Sequence, residues 1–287
     1  MESKQPQTFP PQEQEQQPGL ETEMVPVPET APRPEPAAGK LRGKVAVITG
    51  GDSGIGKAVA LAFAAEGADI VIVYYNEHRD AHDTAATIKA LGVQALLLPG
   101  DIASESFCKS VVEQVIATFG QIDILVNNAA VQYPRERPEE ISSEQLLKTF
   151  GVNVFGAFYL TLAALPFMPE KSSIINTTSV TAYRGSYHLI DYSATKGALV
   201  GFTRSLSAAL AGRGIRVNAV APGPVWTPLI PASFPEKHVA EFGADVPMKR
   251  AGQPNEIATC YVFLASEDAS YMTGQVLHPN GGEIING

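Results

Sequence analysis

The feature that most restricts the fold of this 287-residue chain is the make-up of its strands. "KVAVITG", "DIVIVYY", "QALLLPGD", "IDILVNNAA", "SSIINTTSV" and "IRVNAVAPG" are short apolar runs without a polar face. A strand with one wet face alternates. A strand apolar throughout is covered on both sides, as in a parallel sheet with helices on each face. Segments of helical period separate these runs: "GIGKAVALAFAAEGA", "EHRDAHDTAATIKALG" ending at Gly92, "SESFCKSVVEQVIATFG", a long helical stretch over 143–167, "IDYSATKGALVGFTRSL" and "PNEIATCYVFLAS". A short last strand, "QVLHPNGG", closes the chain. The alternation predicts an α/β fold, a doubly wound parallel sheet of about seven strands flanked by helices.

The body is expected to be one domain, residues 41–287, without internal repeats. Residues 1–40 differ: they are rich in Pro, Gln and Glu and lack apolar periodicity. They are read as an N-terminal extension, either solvated or packed on a surface through Leu20, Met24, Val25 and Val27. The net charge of −9 argues against a nucleic-acid partner. Cys108 and Cys260 have no metal-ligand spacing and read as reduced thiols. No metal site is expected. No run is expected to span a membrane, and the start lacks the pattern of a signal peptide. The expected location is the cytoplasm.

In a doubly wound sheet, ligands bind outside the carboxyl ends of the strands. The first strand ends in "TGGDSGIG", Thr49–Gly56. Gly50 suits a tight turn, Gly54 a close backbone approach to a pyrophosphate, and Gly56 close helix–sheet packing. The amides of the helix starting near Ile55 would face the phosphates. The spacing is Gly-x-x-x-Gly-x-Gly, and no Lys-Ser/Thr pair closes it as a P-loop requires. Far along the chain, Tyr192 precedes Lys196 by four residues, which sets a phenol and an ammonium on one helix face.

These features together resemble the short-chain dehydrogenase/reductase family, from about Lys40 to the C-terminus. The family's glycine loop matches Thr49, Gly50, Gly54, Ile55 and Gly56, with Asp52 and Ser53 between them. Its acidic residue after the third strand matches Asp101, followed by Ile102. Its Asn-Asn-Ala-Gly strand end matches Asn127, Asn128 and Ala129, with Ala130 in place of the usual Gly. The family's helix asparagine matches Asn153, its catalytic serine Ser179, and its Tyr-x-x-x-Lys pair Tyr192 and Lys196. Its Pro-Gly segment matches Pro222 and Gly223, followed by Val225 and Thr227. "ITGGDSGIG", "APGPVWTPLIP" and "GQVLHPNGGEIING" are similar to the branch holding bacterial NADP-dependent aldehyde reductases and plant glucose/ribitol dehydrogenase homologues.

The resemblance implies a Rossmann-type catalytic domain and an oxidoreductase acting on an aldehyde, a ketone or the corresponding alcohol. Two other readings are a sugar-nucleotide epimerase or dehydratase, which shares the Tyr-Lys pair but usually adds a C-terminal substrate domain, and a non-catalytic dinucleotide sensor, against which the intact catalytic set speaks. The implied catalytic residues are Asn153, Ser179, Tyr192 and Lys196. Lys196 would lower the pKa of Tyr192 and hold the nicotinamide ribose. Ser179 would orient the reacting oxygen, and Asn153 would hold a water. The expected cofactor is NADP(H) or NAD(H). Tyr74 and Tyr75 stand where an NAD-selecting acid usually sits, Asn76 follows, Glu77 is late for that role, and Arg79 could reach a 2′-phosphate, so NADP(H) is favoured. Trp226, Gln132, Tyr133 and His188 are weighed as pocket residues, His188 more simply as a loop histidine and Asp191 as a helix cap. Ala194, Gly197, Ala198 and Gly201 form a small-residue face. With the helix bearing Asn153, this face implies a homotetramer.

Overall fold

A computed structural model describes residues 39–285. The extension's proposed anchors, Leu20 to Val27, lie outside these residues. In chain order the elements are β1 (Val45–Thr49), α1 (Gly54–Ala65), β2 (Asp69–Tyr74), α2 (His78–Ala90), β3 (Ala95–Pro99), α3 (Glu105–Phe119) and β4 (Ile124–Asn127). There follow α4 (Ser143–Phe150), α5 (Gly156–Ala164), β5 (Ser173–Thr177), α6 (Thr181–Arg184), α7 (Ile190–Leu210), β6 (Arg216–Val220), α8 (Glu236–Ala240), α9 (Pro254–Ala265) and β7 (Val276–Leu277). The seven strands are all parallel in the order β3-β2-β1-β4-β5-β6-β7. The order reverses between β1 and β4, which opens a crevice at their carboxyl ends.

The unbroken apolar runs have the predicted cause. Ala46 and Ile48 of β1, with Ile70 and Ile72 of β2, join a core under α1 and α9 that includes Phe63, Ile257 and Tyr261. The alternate residues Val45, Val47, Val71 and Val73 join a second core with Val111 and Val115 of α3 and Leu160 of α5. Strand side chains point alternately to opposite faces, so a strand covered on both sides is apolar at every position. The first described residues are tied to this body: the amides of Gly39 and Lys40 donate to Glu66 at 2.7 and 2.9 Å, and Lys40 pairs with Asp268.

One buried polar chain crosses the second layer. Asn127 Nδ2 donates to Thr161 Oγ1 at 3.0 Å and to Asn176 Oδ1 at 2.9 Å. Asn176 Nδ2 in turn donates to Thr203 Oγ1 at 2.9 Å. It links β4 and β5 to α5 and α7.

The stretch 143–167 is helical throughout, as expected, in several pieces: a π-helical turn, Gly151–Phe155, separates α4 from α5, and a 3-10 turn ends it at Leu165–Phe167. Glycines flank the π turn, where they weaken helical preference, and Asn153 within it bonds outside the helix. Ser143–Phe167 is also long and apolar enough, by length and composition, to cross a membrane, with mean hydropathy 1.6, where no such run was expected. Its inner side packs on α3 and α7. Its outer side leaves Leu147, Phe155, Phe158 and Leu162 exposed.

Candidate active site

The carboxyl ends of β1 to β6 surround one open cavity of about 1080 Å³. Every residue expected to bind cofactor lines it except Gly56 and Arg79. Of the expected catalytic set, Ser179, Tyr192 and Lys196 line it, and Asn153 stands behind the wall.

The glycine loop forms one end. Gly50 and Gly54 have φ of +64° and +53°, a backbone region that L side chains rarely adopt. The role of Gly56 differs from the one expected. A Cβ there would fall 1.9 Å from the Gly50 carbonyl oxygen, so Gly56 lets α1 start against the loop itself rather than against the sheet. Asn128 holds the loop from the side. Its Nδ2 donates to the Thr49 and Gly50 carbonyls at 3.0 and 3.3 Å. Thr49 Oγ1 accepts from the amides of Asn128 and Ala129 at 2.9 and 3.0 Å. The first turn of α1 then presents free amides to the cavity.

The other end holds the titratable pair. Lys196 is 2% exposed, and its Nζ donates to the Thr177 carbonyl at 2.8 Å. It lies 5.3 Å from the centre of the Tyr192 ring. Burial pulls the Lys196 pKa down to about 7. Burial also pushes Tyr192 up to about 12, against the pull of the Ser179 hydroxyl. The expected lowering of the tyrosine by the lysine is therefore overridden. Loss of solvation disfavours both charged forms. Tyr192 is thus a phenol at neutral pH, in the form that donates a proton. Ser179 Oγ accepts from the amide and hydroxyl of Thr181 at 3.2 and 3.1 Å, which fixes its position at the start of α6.

Asn153 clamps the cavity wall. Its Oδ1 accepts from the Val131 amide at 2.8 Å, while Nδ2 donates to the Val131 carbonyl at 2.9 Å and to Thr195 Oγ1 at 3.1 Å. Both Nδ2 hydrogens are thus engaged, which leaves the second lone pair of Oδ1 for the expected water. Asp191 is not a cap. It is buried, and Oδ2 accepts from Gln145 Nε2 at 3.1 Å and Thr149 Oγ1 at 2.7 Å, which ties α7 to α4. Gln132, Tyr133 and His188 line the cavity; Trp226 does not. Leu229, Ile230, Phe234 and Phe242 also line it. They come from the segment around α8, whose mixed pattern gave no periodicity to read.

Around Tyr75 the wall carries the acids Asp52, Glu77 and Asp80. Burial raises the pKa of Asp52, and Glu77 and Asp80 push it the same way. Arg79 is exposed on α2 and does not reach the cavity. Among the described residues the lysines and arginines on the wall are Lys148, Arg184 and Lys196.

A family model described as enoyl-(acyl carrier protein) reductase matches residues 50–283. A solved short chain dehydrogenase from Burkholderia cenocepacia J2315, in complex with NADP, is 32% identical with a TM-score of 0.80, covering 85% of this chain and 98% of that one. The chain belongs to the short-chain dehydrogenase/reductase family. Other relatives in the family include the glucose and ribitol dehydrogenase of Daucus carota, 54% identical over 97% of this chain and 98% of that protein. The chloroplastic NADPH-dependent aldehyde reductase 1 of Arabidopsis thaliana is 52% identical over 96% and 98%. The cavity suits a dinucleotide: its phosphate end is built from backbone that a single Cβ at Gly56 would obstruct, and its far end holds the reductase's phenol and ammonium.

Proposed function

We propose that this short-chain dehydrogenase/reductase transfers hydride between NADP(H) and an aldehyde, a ketone or the corresponding alcohol. The observation that carries this reading is the pair at the cavity floor, Tyr192 beside the buried Lys196 with 5.3 Å between its Nζ and the ring centre, with Ser179 fixed nearby. The nicotinamide supplies or takes the hydride. In reduction Tyr192 donates its proton to the carbonyl oxygen, and Ser179 hydrogen-bonds the same oxygen and orients it. In oxidation Tyr192 takes the alcohol proton. Lys196 holds charge close to the oxygen and reaches the nicotinamide ribose. Asn153 positions Val131 and Thr195 rather than touching substrate. The test is the absorbance of reduced nicotinamide with a panel of aldehydes and sugars, run with both cofactors. No turnover with any carbonyl or alcohol would overturn the reading.

Lys148 favours NADP(H) over NAD(H) in this reading. Its Nζ lies 5.4 Å from the centre of the Tyr133 ring, and Tyr133 and Tyr75 both raise its pKa. Among the described lysines and arginines on the wall it is the one that interacts with Tyr75, whose neighbours Asp52, Glu77 and Asp80 would otherwise repel a phosphate. The protein is expected to use both cofactors, with NADH no more than about a hundredfold better than NADPH, a margin of roughly 2.7 kcal/mol. Lys148→Ala should lower kcat/KM for NADPH by about tenfold, worth about 1.4 kcal/mol, and hardly change that for NADH. Equal losses with both would assign Lys148 no part in the choice.

The same reading includes a cytoplasmic homotetramer whose catalytic domain is residues 41–287, preceded by the extension 1–40. Its support is the outer face of α5 and α7, where Phe155, Phe158 and Leu162 are exposed beside Gly197 and Gly201. A Cβ at Gly201 would meet nothing within 4 Å in the same chain. In an isolated chain Gly201→Ala should therefore stabilise α7 by up to about 1 kcal/mol. Where another copy packs on this face, the variant should melt lower and elute as a smaller species. Size-exclusion chromatography with thermal melting separates the two, and a stabilised variant of unchanged size would refute the α7 interface.

A further inference from the structure

Gln132 is 7% exposed and lines the large cavity, yet its carboxamide makes no hydrogen bond among the described residues. Neither its oxygen nor its nitrogen is one of the polar atoms shut off from solvent, so both keep open surface on the cavity wall. Buried side chains mostly spend their polar groups within the protein, as the amides of Gln145 and Asn153 do here. Gln132 keeps its own free.

Two clasps set where that amide stands relative to the reaction centre. On one side, Asn153 holds both backbone groups of Val131 and donates to Thr195 Oγ1 at 3.1 Å. Thr195 Oγ1 in turn donates to the Tyr192 carbonyl at 2.6 Å. On the other side, Gln145 Nε2 donates to the Tyr133 carbonyl at 3.0 Å and to Asp191 Oδ2 at 3.1 Å. Gln145 Oε1 accepts from Arg135 Nε at 2.6 Å, and the Arg135 amide donates to the His188 carbonyl at 2.9 Å. Val131 and Tyr133 flank Gln132, as Asp191 and Thr195 flank Tyr192. Each tie runs through one side chain. The free amide is therefore held in register with the phenol and serves groups close to the carbon that exchanges hydride.

We propose that Gln132 is a specificity-determining residue that selects carbonyl substrates bearing a hydroxyl next to the reacting carbon. The inference rests on the reductase reading above and narrows its substrate class. A hydroxyl both donates and accepts hydrogen bonds, and so does a carboxamide. A methyl in the same place would displace water from both amide atoms and return nothing, which is how a site built to bond a hydroxyl rejects the analogue that lacks it. A carboxylate would use the amide nitrogen alone and set its charge against the amide oxygen. An ammonium would use the oxygen alone.

The test compares shape-matched substrates in which a hydroxyl replaces a methyl: glycolaldehyde against propanal, and hydroxyacetone against 2-butanone. Rates are read from nicotinamide absorbance with the full chain. The parent should favour the hydroxylated member of each pair in kcat/KM, and Gln132→Leu should cut that ratio by at least about tenfold. The intrinsic reactivity of each carbonyl cancels when the ratio is compared between variants. Gln132→Glu, which keeps the shape and an acceptor for the hydroxyl, should lose less of the preference than Gln132→Leu. A ratio that Gln132→Leu leaves unchanged would overturn the assignment and leave water as the partner of the amide. A second readout needs no turnover. Saturation-transfer NMR of ethylene glycol and 1-propanol, the alcohols of the first pair, is recorded on the parent and on Gln132→Leu with NADP⁺ present. A preference for the diol that is lost in Gln132→Leu supports the site even where all four carbonyls stay unreacted, a result that would count against the reductase reading instead. Equal binding of the two alcohols by the parent would overturn the role of Gln132 whatever the rates.

Discussion

Tyr192→Phe should lose turnover by about 10²–10⁴-fold, the usual worth of a placed proton donor, while it folds and binds cofactor as the parent does. The ring and its packing are kept, and the lost hydroxyl faces the cavity rather than the core. Lys196→Met should damage more than one step, since it removes the charge beside the phenol and a contact proposed for the ribose. Cofactor affinity should weaken in Lys196→Met and hold in Tyr192→Phe. The pH profile separates the two groups further. Tyr192 stays protonated to about 12, so its acid form is available throughout the neutral range. Lys196 loses its proton near pH 7, so carbonyl reduction should decline as pH rises through about 7, and Lys196→Met should lack that decline. Alcohol oxidation needs the phenolate, whose fraction climbs with pH toward about 12. Stability moves the other way from reduction. The folded chain binds the Lys196 proton less tightly than the unfolded chain does, so between about pH 7 and the ordinary lysine value of 10.5 stability gains with pH. Relative to Lys196→Met, which has no such group, the parent's denaturant midpoint should therefore rise with pH across that window. Full turnover in Tyr192→Phe would move the proton donor to another residue.

Gly56→Ala should abolish most activity from the opposite end of the cavity. Its Cβ would lie 1.9 Å from the Gly50 carbonyl oxygen, and the obstruction is backbone, which cannot swing aside. Either α1 or the loop must move, and a displacement of about 1 Å in a binding element can cost about 10²-fold. Overpacking should also destabilise the fold by about 1–3 kcal/mol. Titration of nucleotide fluorescence and a thermal melt read the two effects separately. Gly212→Ala serves as the control, since nothing lies within 4 Å of a Cβ there. An alanine variant at 56 with parental nucleotide affinity would show that the loop tolerates what its geometry forbids.

The sheet was legible because unbroken apolar strands have one common cause, cover on both faces. The glycine loop, the Asn128 strand end, Ser179 and the Tyr192–Lys196 pair were legible because the resemblance places each at a strand end or on one helix. What the sequence hid was set by partners distant along the chain. Asp191 reads locally as a cap, yet its oxygen belongs to Gln145 and Thr149. The helical stretch 143–167 carries no local sign of its π turn, where Asn153 bonds away from the helix to Val131. The direction of the Tyr192 shift depends on how deeply both members of the pair are buried, which spacing alone does not carry. Arg79 has the right charge on the wrong side of α2, while Lys148 reaches the cavity from an element 69 residues away in numbering.

The aliphatic residues of the central strands, Ile124–Val126 and Ile174–Ile175, have little to tell one alignment from another, because a slide exchanges one aliphatic partner for another. The two buried asparagines remove that ambiguity. Asn127 sits directly opposite Asn176, and only in that alignment can the amides meet each other with Thr161 and Thr203 at either end. A slip of one residue would turn an amide to the wrong face, and a slip of two would strand it among methyl groups, at about 1–3 kcal/mol for each donor left without a partner. The pair acts as a key that admits one pairing of the central strands and rejects its neighbours. Because Asn128 and Ser179 lie one and two residues past the ends of those strands, the same key sets how far each half of the catalytic cavity stands from the other.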